Sequence, residues 1–206
     1  MSKPQPTPDT VVTFSHPDTW DATFGRSLLA MVHRDKGRRI LDVLPSESSS
    51  FLVDGRNTQV KLFLSTPAKW MLMLDADMEF PPDLLDRLRR HATPTRIVGG
   101  LCATATGLPV MFGDDGQRIE QWTPGALVPV LATGGACLLI HRSVFEERMP
   151  YPWFYMAREH IQMDQDQVML ATARAVGIEV AVDTSTVLGH VKKRPVYPIS
   201  PSSPVH

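Results

Sequence analysis

The sequence predicts an α/β fold with a mixed, mainly parallel sheet that is flanked by helices. Two observations carry this prediction. Residues 70–74 form a continuous apolar run, which is typical of a strand buried on both faces of a sheet. In the first half of the chain, segments with strand patterns alternate with segments whose apolar residues recur at helical spacing. Such alternation is typical of parallel strands joined by helices.

The first half of the chain supplies most of these elements. The β-branched and aromatic residues 11–14 predict a first strand, and Thr19 is expected to cap the helix that follows. That helix carries Phe24, Leu28 and Met31 at helical spacing. The later elements are a strand at 40–44, a helix at 56–65 ended by Pro67, the strand at 70–74, a helix opened by Pro81 and Pro82, and a strand at 96–101.

The second half begins with a stretch rich in glycine and proline. Residues 107–131 interleave these residues with short apolar pieces, which predicts short antiparallel strands and loops. The elements expected after it are a strand at 136–140, a short helix at 142–148, a helix at 158–176 ended by Gly177, and a strand at 178–182. From Lys192 onward we find no core pattern.

Composition limits the classes of function. The 206 residues carry 21 Lys and Arg against 22 Asp and Glu, a formal net charge of −1, and 43% are hydrophobic. This chain is long and apolar enough to bury the core of one domain. A protein that binds nucleic acid or a membrane surface shows a basic excess, so the near-neutral charge argues against both partners.

Seven of the 18 prolines lie within the first ten and the last twelve residues of the chain. We therefore predict a flexible proline-rich segment at 1–10, a single domain at 11–192, and a Pro/Ser-rich tail at 193–206, which either extends freely or folds over the site as a lid. No apolar run approaches the ~20 residues that span a bilayer, and the N-terminus lacks the apolar segment of a signal peptide. Cys102 and Cys137 are expected to be reduced core thiols, so we expect a cytoplasmic protein.

The sharpest signal is Asp75-Ala76-Asp77, directly after the buried run. Ligands of open α/β sheets bind beyond the carboxyl ends of the strands. Two carboxylates one residue apart can face one hard cation, and such oxygen ligands suit Mn²⁺ or Mg²⁺, which would in turn hold a diphosphate. The alternative is that both carboxylates cap the next helix or mark a solvated turn.

The segment 70–85 around this triplet resembles the D-x-D region of GT-A-fold glycosyltransferases, especially family 2-like enzymes of bacteria and phages. Four further matches follow the family order: Gly55-Arg56-Asn57, the glycine-rich segment 132–145, Met163-Asp164-Gln165-Asp166 where the family carries Glu-Asp, and the closing segment 183–191 with Gly189-His190. The resemblance covers residues 11–192 and implies a GT-A, Rossmann-like fold.

The resemblance also implies a reaction and a donor site. Such enzymes bind a nucleotide-diphosphate sugar, here expected to be a UDP-sugar, through a divalent metal and transfer the sugar to a hydroxyl of a glycan or a protein. The metal, Mn²⁺ or Mg²⁺, would be held by Asp75, Asp77 and His190, with Asp77 as the more direct ligand. The other donor contacts would be Ser15 and His16 at the base and ribose, Arg56 at the diphosphate, Ala76 beside the two aspartates, and Gly134 and Gly135 at the sugar.

Several residues also have a purely structural interpretation. His190 could be a loop histidine beside a glycine turn, and Arg56 an ordinary surface arginine at the start of a helix. Gly134 and Gly135 could form only a tight turn into a strand. The aromatic set Trp122, Tyr151, Trp153, Phe154 and Tyr155 could stack on an acceptor sugar or belong to the core.

The candidate general base is Asp166, which would take the proton of the acceptor hydroxyl. Gln165 stands where the family carries glutamate. Asp164 and Asp166 are two positions apart, about 200° around a helix, so only one can face the site and the other becomes a cap or a surface carboxylate. Asp164 therefore remains the second candidate, and a retaining reaction would need no such base.

Two other functions compete with the glycosyltransferase. A metal-dependent nucleotidyltransferase or sugar-phosphate enzyme would carry a glycine-rich, basic phosphate loop after the first strand, and residues 15–19 contain no glycine, lysine or arginine. A non-catalytic module that binds nucleotide sugars or carbohydrates would show binding without turnover.

Overall fold

Seven strands form one mixed sheet in the computed structural model, which describes residues 7–16, 19–47, 52–156, 163–191 and 195–196. Together with the strands of two smaller sheets, the strands of the described residues are β1 (Thr10–His16), β2 (Ile40–Glu47), β3 (Trp70–Asp75), β4 (Met78–Glu79), β5 (Arg96–Leu101), β6 (Met111–Phe112), β7 (Leu127–Pro129), β8 (Ala132–Thr133), β9 (Cys137–His141), β10 (Glu179–Val187), β11 (Gly189–Val191) and β12 (Pro195–Val196). The helices are α1 (Ala22–Asp35), α2 (Leu52–Leu64), α3 (Leu84–Arg89) and α4 (Gln165–Ala175), with a π-helical turn at Val144–Arg148.

The order in the large sheet is β2-β1-β3-β9-β5-β10-β7. Strand β1 pairs in parallel with β2 and β3, and β5 pairs in parallel with β10, while β9 and β7 run antiparallel to their neighbours. This arrangement confirms the predicted mixed, mainly parallel sheet. In the β1–β3 pair Ser15 lies opposite Asp75, so the carboxyl ends of two central strands meet at one edge of the sheet.

Helices cover both faces of this sheet, and β3 shows how the two layers share one strand. All five residues from Trp70 to Leu74 are buried, as the apolar run predicts. Met71 and Met73 pack in a cluster with residues of α2 and α4, whereas Leu72 and Leu74 pack with residues of α1 and α3. Successive side chains of a strand point to opposite faces, so a strand between two helical layers needs apolar residues at every position.

Several predicted helix starts are wrong. Thr19 does not cap α1; the cap is Asp21, whose Oδ1 accepts a hydrogen bond of 2.6 Å from the Thr23 amide. The helix expected from Pro81 and Pro82 begins only at Leu84, because residues 82 and 83 form a turn in which the Leu84 amide donates to the Pro81 carbonyl at 3.0 Å. Helix α2 begins earlier than expected, at Leu52. Helix α4 begins at Gln165, and residues 158–162 of the longer predicted helix lie outside the described residues.

Other expectations agree with the structure. Strand β5 has the predicted bounds, and the 107–131 region contributes β6 and the antiparallel edge strand β7. Cys102 and Cys137 are buried free thiols, and burial raises the pKa of Cys137 to about 12.

Part of the predicted tail is described: Pro195–Val196 pairs antiparallel with β11. No helix in the described part of the chain is long and apolar enough to cross a membrane.

Candidate active site

A cavity of about 620 Å³ opens at the carboxyl ends of β1 and β3. It is lined by Ser15, Thr19, Trp20, Asp21, Arg56, Asp75, Ala76, Asp77, Gln165 and Asp166. The structure therefore brings together six residues that the sequence proposed for the site: Ser15, Arg56, Asp75, Ala76, Asp77 and Asp166. Thr19, Trp20, Asp21 and Gln165 complete the lining and had no site role assigned from the sequence.

Backbone contacts hold the acidic turn in place. The Asp75 amide donates to the carbonyl of Ala136 at 3.0 Å, and the Asp21 amide donates to the carbonyl of Ala76 at 3.3 Å. The first contact ties the end of β3 to the segment that enters β9, and the second ties the turn to the start of α1. The two carboxylates of the turn thus project from a backbone that is fixed on both sides.

Arg56 is the central cation of the cavity. Its Nη2 donates to Asp75 Oδ1 at 2.8 Å, and its Nε donates to Asp166 Oδ1 at 3.0 Å. Burial of the guanidinium would lower the pKa of Arg56, but the charges of Asp75 and Asp166 outweigh burial and raise it. The interpretation of Arg56 as an ordinary surface arginine is wrong, because the residue is only 7% exposed.

Asp166 is held by a second group, the backbone of Gly135. The Gly135 amide donates to Asp166 Oδ2 at 3.1 Å, and Arg56 Nη2 donates to the same oxygen at 3.2 Å. A Cβ atom at position 135 would lie 2.4 Å from Asp166 Cγ, so this contact requires glycine. Gly134 does not make such a contact, since the atom nearest to a Cβ there would be Val110 Cγ1 at 3.4 Å.

Asp164 has a different role from Asp166. It is the N-cap of α4: its Oδ1 accepts from the Gln167 amide at 3.0 Å, and Gln167 Oε1 accepts from the Asp164 amide at 3.3 Å. This is a capping box. Burial raises the pKa of Asp164 despite the hydrogen bond from Gln167. The two aspartates therefore separate, with Asp166 in the cavity wall and Asp164 at the cap, where its backbone is extended.

Asp77 and His190 form a pair beside the acidic turn. His190 Nε2 lies 3.0 Å from Asp77 Oδ2, and His190 Nδ1 lies 3.3 Å from the carbonyl oxygen of Ala103. Pairing of β11 with β4 brings His190 to this position, and the Val191 amide donates to the Asp77 carbonyl at 2.7 Å. Both ring nitrogens thus face acceptor oxygens, an arrangement satisfied by an imidazolium or by a cation in place of the Nε2 proton.

A smaller cavity of about 260 Å³ adjoins the first one and is lined by His16, Thr19, Trp20 and Pro45. Thr19 and Trp20 line both cavities. The Trp20 side chain is 49% exposed, and its ring centroid lies 5.8 Å from that of His16. His16 therefore lies in this second cavity and not among the residues that line the first one.

The predicted aromatic set divides into core and surface. Trp153 and Phe154 are buried in the core, so the interpretation that they stack on an acceptor is wrong. Trp122 packs partly buried against the same core, whereas Tyr151 and Tyr155 are exposed. The core position of Trp153 and Phe154 is fixed by Asn57, whose Oδ1 accepts from their two amides at 3.1 and 3.2 Å.

The chain matches no protein-family model and no curated protein. It is similar in structure to A197 from STIV, with a TM-score of 0.67 and 11% identity over 96% of this chain and 98% of that one. It is also similar to GalNAc-T7, solved with UDP, GalNAc and Mn²⁺, with a TM-score of 0.62 and 12% identity over 89% of this chain and 43% of that one.

A third similar structure is the inositol-1-phosphate CTP transferase from T. maritima, with a TM-score of 0.57 and 10% identity over 91% of this chain and 90% of that one. The chain spans less than half of GalNAc-T7 and nearly all of the other two proteins. At these identities the likeness concerns the fold alone. The chain has a mixed α/β fold of the GT-A, Rossmann-like kind.

Proposed function

We propose that the chain is a metal-dependent glycosyltransferase that moves a hexose from a nucleotide-diphosphate donor, with UDP as the expected nucleotide, to a hydroxyl of a glycan or a protein. The observation that carries the proposal is the meeting of Arg56, Asp75, Asp77 and Asp166 in one cavity at the carboxyl ends of β1 and β3. The fold shared with GalNAc-T7, which was solved with UDP, GalNAc and Mn²⁺, supports the same class of reaction.

The negative charge of the cavity favours a bound cation. Its described lining residues include four carboxylates, those of Asp21, Asp75, Asp77 and Asp166, against the single guanidinium of Arg56. A diphosphate brought into this cavity alone would meet net repulsion at short range. A divalent cation bound with the diphosphate removes that repulsion, so the lining suits a metal–diphosphate complex.

The spacing of Asp77 and His190 fits such a cation. Neighbouring ligands of an octahedral ion, each at about 2.1 Å from it, lie about 3 Å apart. Asp77 Oδ2 and His190 Nε2 are separated by 3.0 Å. Among the described residues no group of three or more His, Cys, Asp or Glu side chains is arranged to hold a metal. We assign Asp77 and His190 as ligands of Mn²⁺ or Mg²⁺, with Asp75 near the ribose or bound through water.

The donor nucleotide would extend from the large cavity into the small one. Ser15 at the end of β1 would face the ribose, and the exposed face of Trp20, with His16 and Pro45, offers a slot for a nucleobase. Arg56 would orient the diphosphate, since its guanidinium suits phosphate oxygens as well as carboxylates. Gly135 brings backbone close to the place where the sugar would lie.

The transfer itself would use Asp166 as the base. The acceptor oxygen attacks the anomeric carbon, the bond from that carbon to the diphosphate oxygen breaks, and the hydroxyl proton passes to Asp166. The bound cation would neutralise the charge that develops on the leaving diphosphate. Asp166 is preferred over Asp164 because it lines the cavity, whereas Asp164 is engaged in capping α4.

A nucleotidyltransferase is the second candidate, favoured by the similarity to the inositol-1-phosphate CTP transferase. The two activities release different products: a glycosyltransferase releases the nucleoside diphosphate, and a nucleotidyltransferase releases pyrophosphate. The absence of glycine, lysine and arginine from residues 15–21 of the sequence argues against this second candidate.

One assay separates these functions. The protein is incubated with UDP-sugars and Mn²⁺, and released UDP is measured; in parallel, nucleoside triphosphates with sugar phosphates are supplied and released pyrophosphate is measured. We expect UDP release that requires the metal. Pyrophosphate release without UDP release would favour the nucleotidyltransferase. If no UDP is released from any donor and the metal causes no shift in the unfolding temperature, the proposal is overturned.

A further inference from the structure

Four cations surround the end of α1, at the edge of the sheet opposite the large cavity. Arg34 lies in the last turn of α1, Lys36 is the C-cap, and Arg38 and Arg39 lead into β2. The helix starts beside the cavity and extends for 14 residues, which carries the chain about 21 Å away from it. We refer to Arg34, Lys36, Arg38 and Arg39 as the basic surface.

The basic surface holds more positive charge than its own carboxylates neutralise. Asp86 of α3 is shared by the three arginines: its carboxylate oxygens lie 3.9 Å from Arg34 Nε, 3.4 Å from Arg38 Nη2 and 3.1 Å from Arg39 Nε. Asp35 is buried, and its Oδ2 accepts from the Arg39 amide at 3.0 Å. This turn and Asp86 together hold four cations and two carboxylates, so the local charge is +2 on a chain whose total is −1.

The near-neutral total therefore conceals a separation of charge along the sheet. At the carboxyl ends of the strands, four carboxylates and one guanidinium line the large cavity. At the opposite edge the charge is positive. The basic excess that is typical of a protein on an anionic surface is thus present locally, although the composition of the whole chain does not show it.

Lys36 has a backbone conformation that favours glycine. Its φ is 52° and its ψ is 35°, and it is the one residue other than glycine with a positive φ in the part of the chain that the structure describes. The left-handed region is sterically unfavourable for a residue with a Cβ atom. The chain thus carries an exposed ammonium group where glycine would fit with less strain, which indicates a use for the charge.

Two exposed leucines lie near the basic surface. Leu29 is 71% exposed and precedes Lys36 by seven positions, so both lie on one face of α1. Leu41 is 42% exposed and follows Arg39 by two positions. A bilayer buries exposed leucines at the boundary of headgroups and acyl chains while basic side chains contact the lipid phosphates. Leucine offers no such gain on nucleic acid, which binds through cations and stacked aromatic rings.

We propose that the basic surface binds the protein to membranes that contain anionic lipids. Arg34, Lys36 and Arg38 contact the headgroup phosphates, and Leu29 enters the headgroup region. The large cavity then faces away from the bilayer, because it lies at the opposite edge of the sheet. This inference does not depend on the proposed function, since it uses none of the residues that line the cavity.

The test is sedimentation of the full chain with lipid vesicles. One kind of vesicle contains phosphatidylcholine alone, and the other contains phosphatidylcholine mixed with phosphatidylserine. We expect the protein to sediment with the mixed vesicles only. Binding should weaken as the salt concentration rises, because salt screens the attraction between the basic surface and the phosphates.

Lys36→Gly separates binding from folding. It removes one charge of the basic surface, which should weaken the partition onto mixed vesicles about fivefold. It also removes the strained Cβ atom, so the unfolding temperature should rise. A loss of binding in a more stable protein cannot be caused by misfolding. Leu29→Gln keeps every charge and should also weaken the partition, because it removes the apolar group that enters the bilayer.

Arg148→Gln is the matched control. Arg148 is an exposed cation at the end of the π-helical turn. That turn packs with the α2 and α4 cluster, on the other face of the sheet from α1. The variant removes the same charge as Lys36→Gly and should leave vesicle binding unchanged.

Several results would overturn the inference: no binding to mixed vesicles, equal binding to both kinds of vesicle, equal losses in Lys36→Gly and Arg148→Gln, or wild-type binding by Leu29→Gln. Duplex DNA is tested in parallel. If DNA binds, the vesicles do not, and Lys36→Gly loses the DNA, the basic surface is a nucleic-acid site and the inference is wrong. If the mixed vesicles bind as expected and no UDP is released from any donor, the inference stands and the proposed function fails.

Discussion

Arg56 and Asp166 lie 110 positions apart in the chain, yet Nε of the first donates to Oδ1 of the second at 3.0 Å. The same guanidinium binds Asp75 at 2.8 Å, so one cation joins α2 to the end of β3 and to the start of α4. The cavity wall is therefore assembled by this ion-pair network, and the contacts that stabilise the fold here are also the contacts that place the proposed base.

Removing the Arg56 charge should destabilise the protein strongly. Arg56→Met leaves Asp166 mostly buried without its cation, and breaking a buried pair from one side typically costs about 3–5 kcal/mol. We expect the unfolding free energy to fall by an amount near the lower end of this range, because Asp75 is partly exposed. Urea denaturation measures the loss. Arg56→Lys retains the charge and should lose less; equal losses in the two variants would show that packing, and not charge, is what Arg56 supplies.

The two adjacent glycines should respond differently to alanine. A methyl group at position 135 would lie 2.4 Å from Asp166 Cγ and 2.7 Å from Arg56 Nη2, whereas one at position 134 would meet Val110 at ordinary contact distance. Gly135→Ala should cost about 1–3 kcal/mol of unfolding free energy and reduce donor hydrolysis. Gly134→Ala should change neither. Thermal unfolding and UDP release test both variants, and an equal effect would mean that the tight turn alone requires glycine.

Much of the fold could be predicted because its signals are local. The apolar run at residues 70–74 predicts a buried strand, and both this segment and the strand predicted at 96–101 are buried strands of the sheet. The start of α1 could not be placed, since Thr19 and Asp21 are both good capping residues and the choice depends on the contact of the Asp21 amide with Ala76. That contact comes from a distant part of the chain.

The site could be predicted only in part, because contacts between residues far apart in the sequence decide which side chains enter the cavity. Helix geometry shows that Asp164 and Asp166 face different ways, but only the distant partners Arg56 and Gly135 decide which one enters the cavity. Trp20 had a weak signal, as an aromatic residue shortly after the carboxyl end of the first strand.

Asp77 and His190 should be required for the response to metal. We expect Mn²⁺ with UDP to raise the unfolding temperature of the wild-type protein. Asp77→Asn, which removes the negative charge of one proposed ligand, and His190→Ala, which removes the other ligand, should abolish that rise. Differential scanning fluorimetry measures this change in unfolding temperature. Asp83→Asn is the control, since Asp83 pairs with Arg87 and does not line the cavity. A full response in Asp77→Asn would place the metal elsewhere.

Asp166→Asn should separate binding from transfer. Asparagine keeps the size of the side chain, and its one carbonyl oxygen can still accept from the Gly135 amide and Arg56 Nη2. Its amide nitrogen cannot accept from Arg56 Nε, and the side chain cannot take the proton of the acceptor. We expect UDP release to fall by about 10²–10⁴-fold while UDP binding is retained. Asp164→Asn should react at the wild-type rate. If Asp166→Asn retains the full rate, the base is Asp164 or the reaction retains configuration.

Asp164 and Asp21 cap α4 and α1, and they should respond to pH with opposite signs. Burial raises the pKa of Asp164 in the folded protein, so the folded state holds that proton more tightly than the unfolded state does. Its charge therefore lowers the unfolding free energy at neutral pH, and this penalty disappears below the ordinary carboxyl pKa, near about 4. The hydrogen bond from the Thr23 amide lowers the pKa of Asp21, so its charge stabilises the fold at neutral pH and the benefit is lost in acid.

Asparagine caps helices about as well as aspartate, which makes Asp164→Asn and Asp21→Asn a test of charge alone. At neutral pH we expect Asp164→Asn to raise the unfolding free energy and Asp21→Asn to lower it. The Asp164→Asn difference should shrink as the pH falls toward about 4, whereas the Asp21→Asn difference should persist to about 4 and shrink only below it. Urea denaturation at a series of pH values measures them. A change of the same sign in both variants would mean that the helix dipole, and not burial, dominates at the Asp164 cap, because the dipole favours a negative charge at either N-terminus.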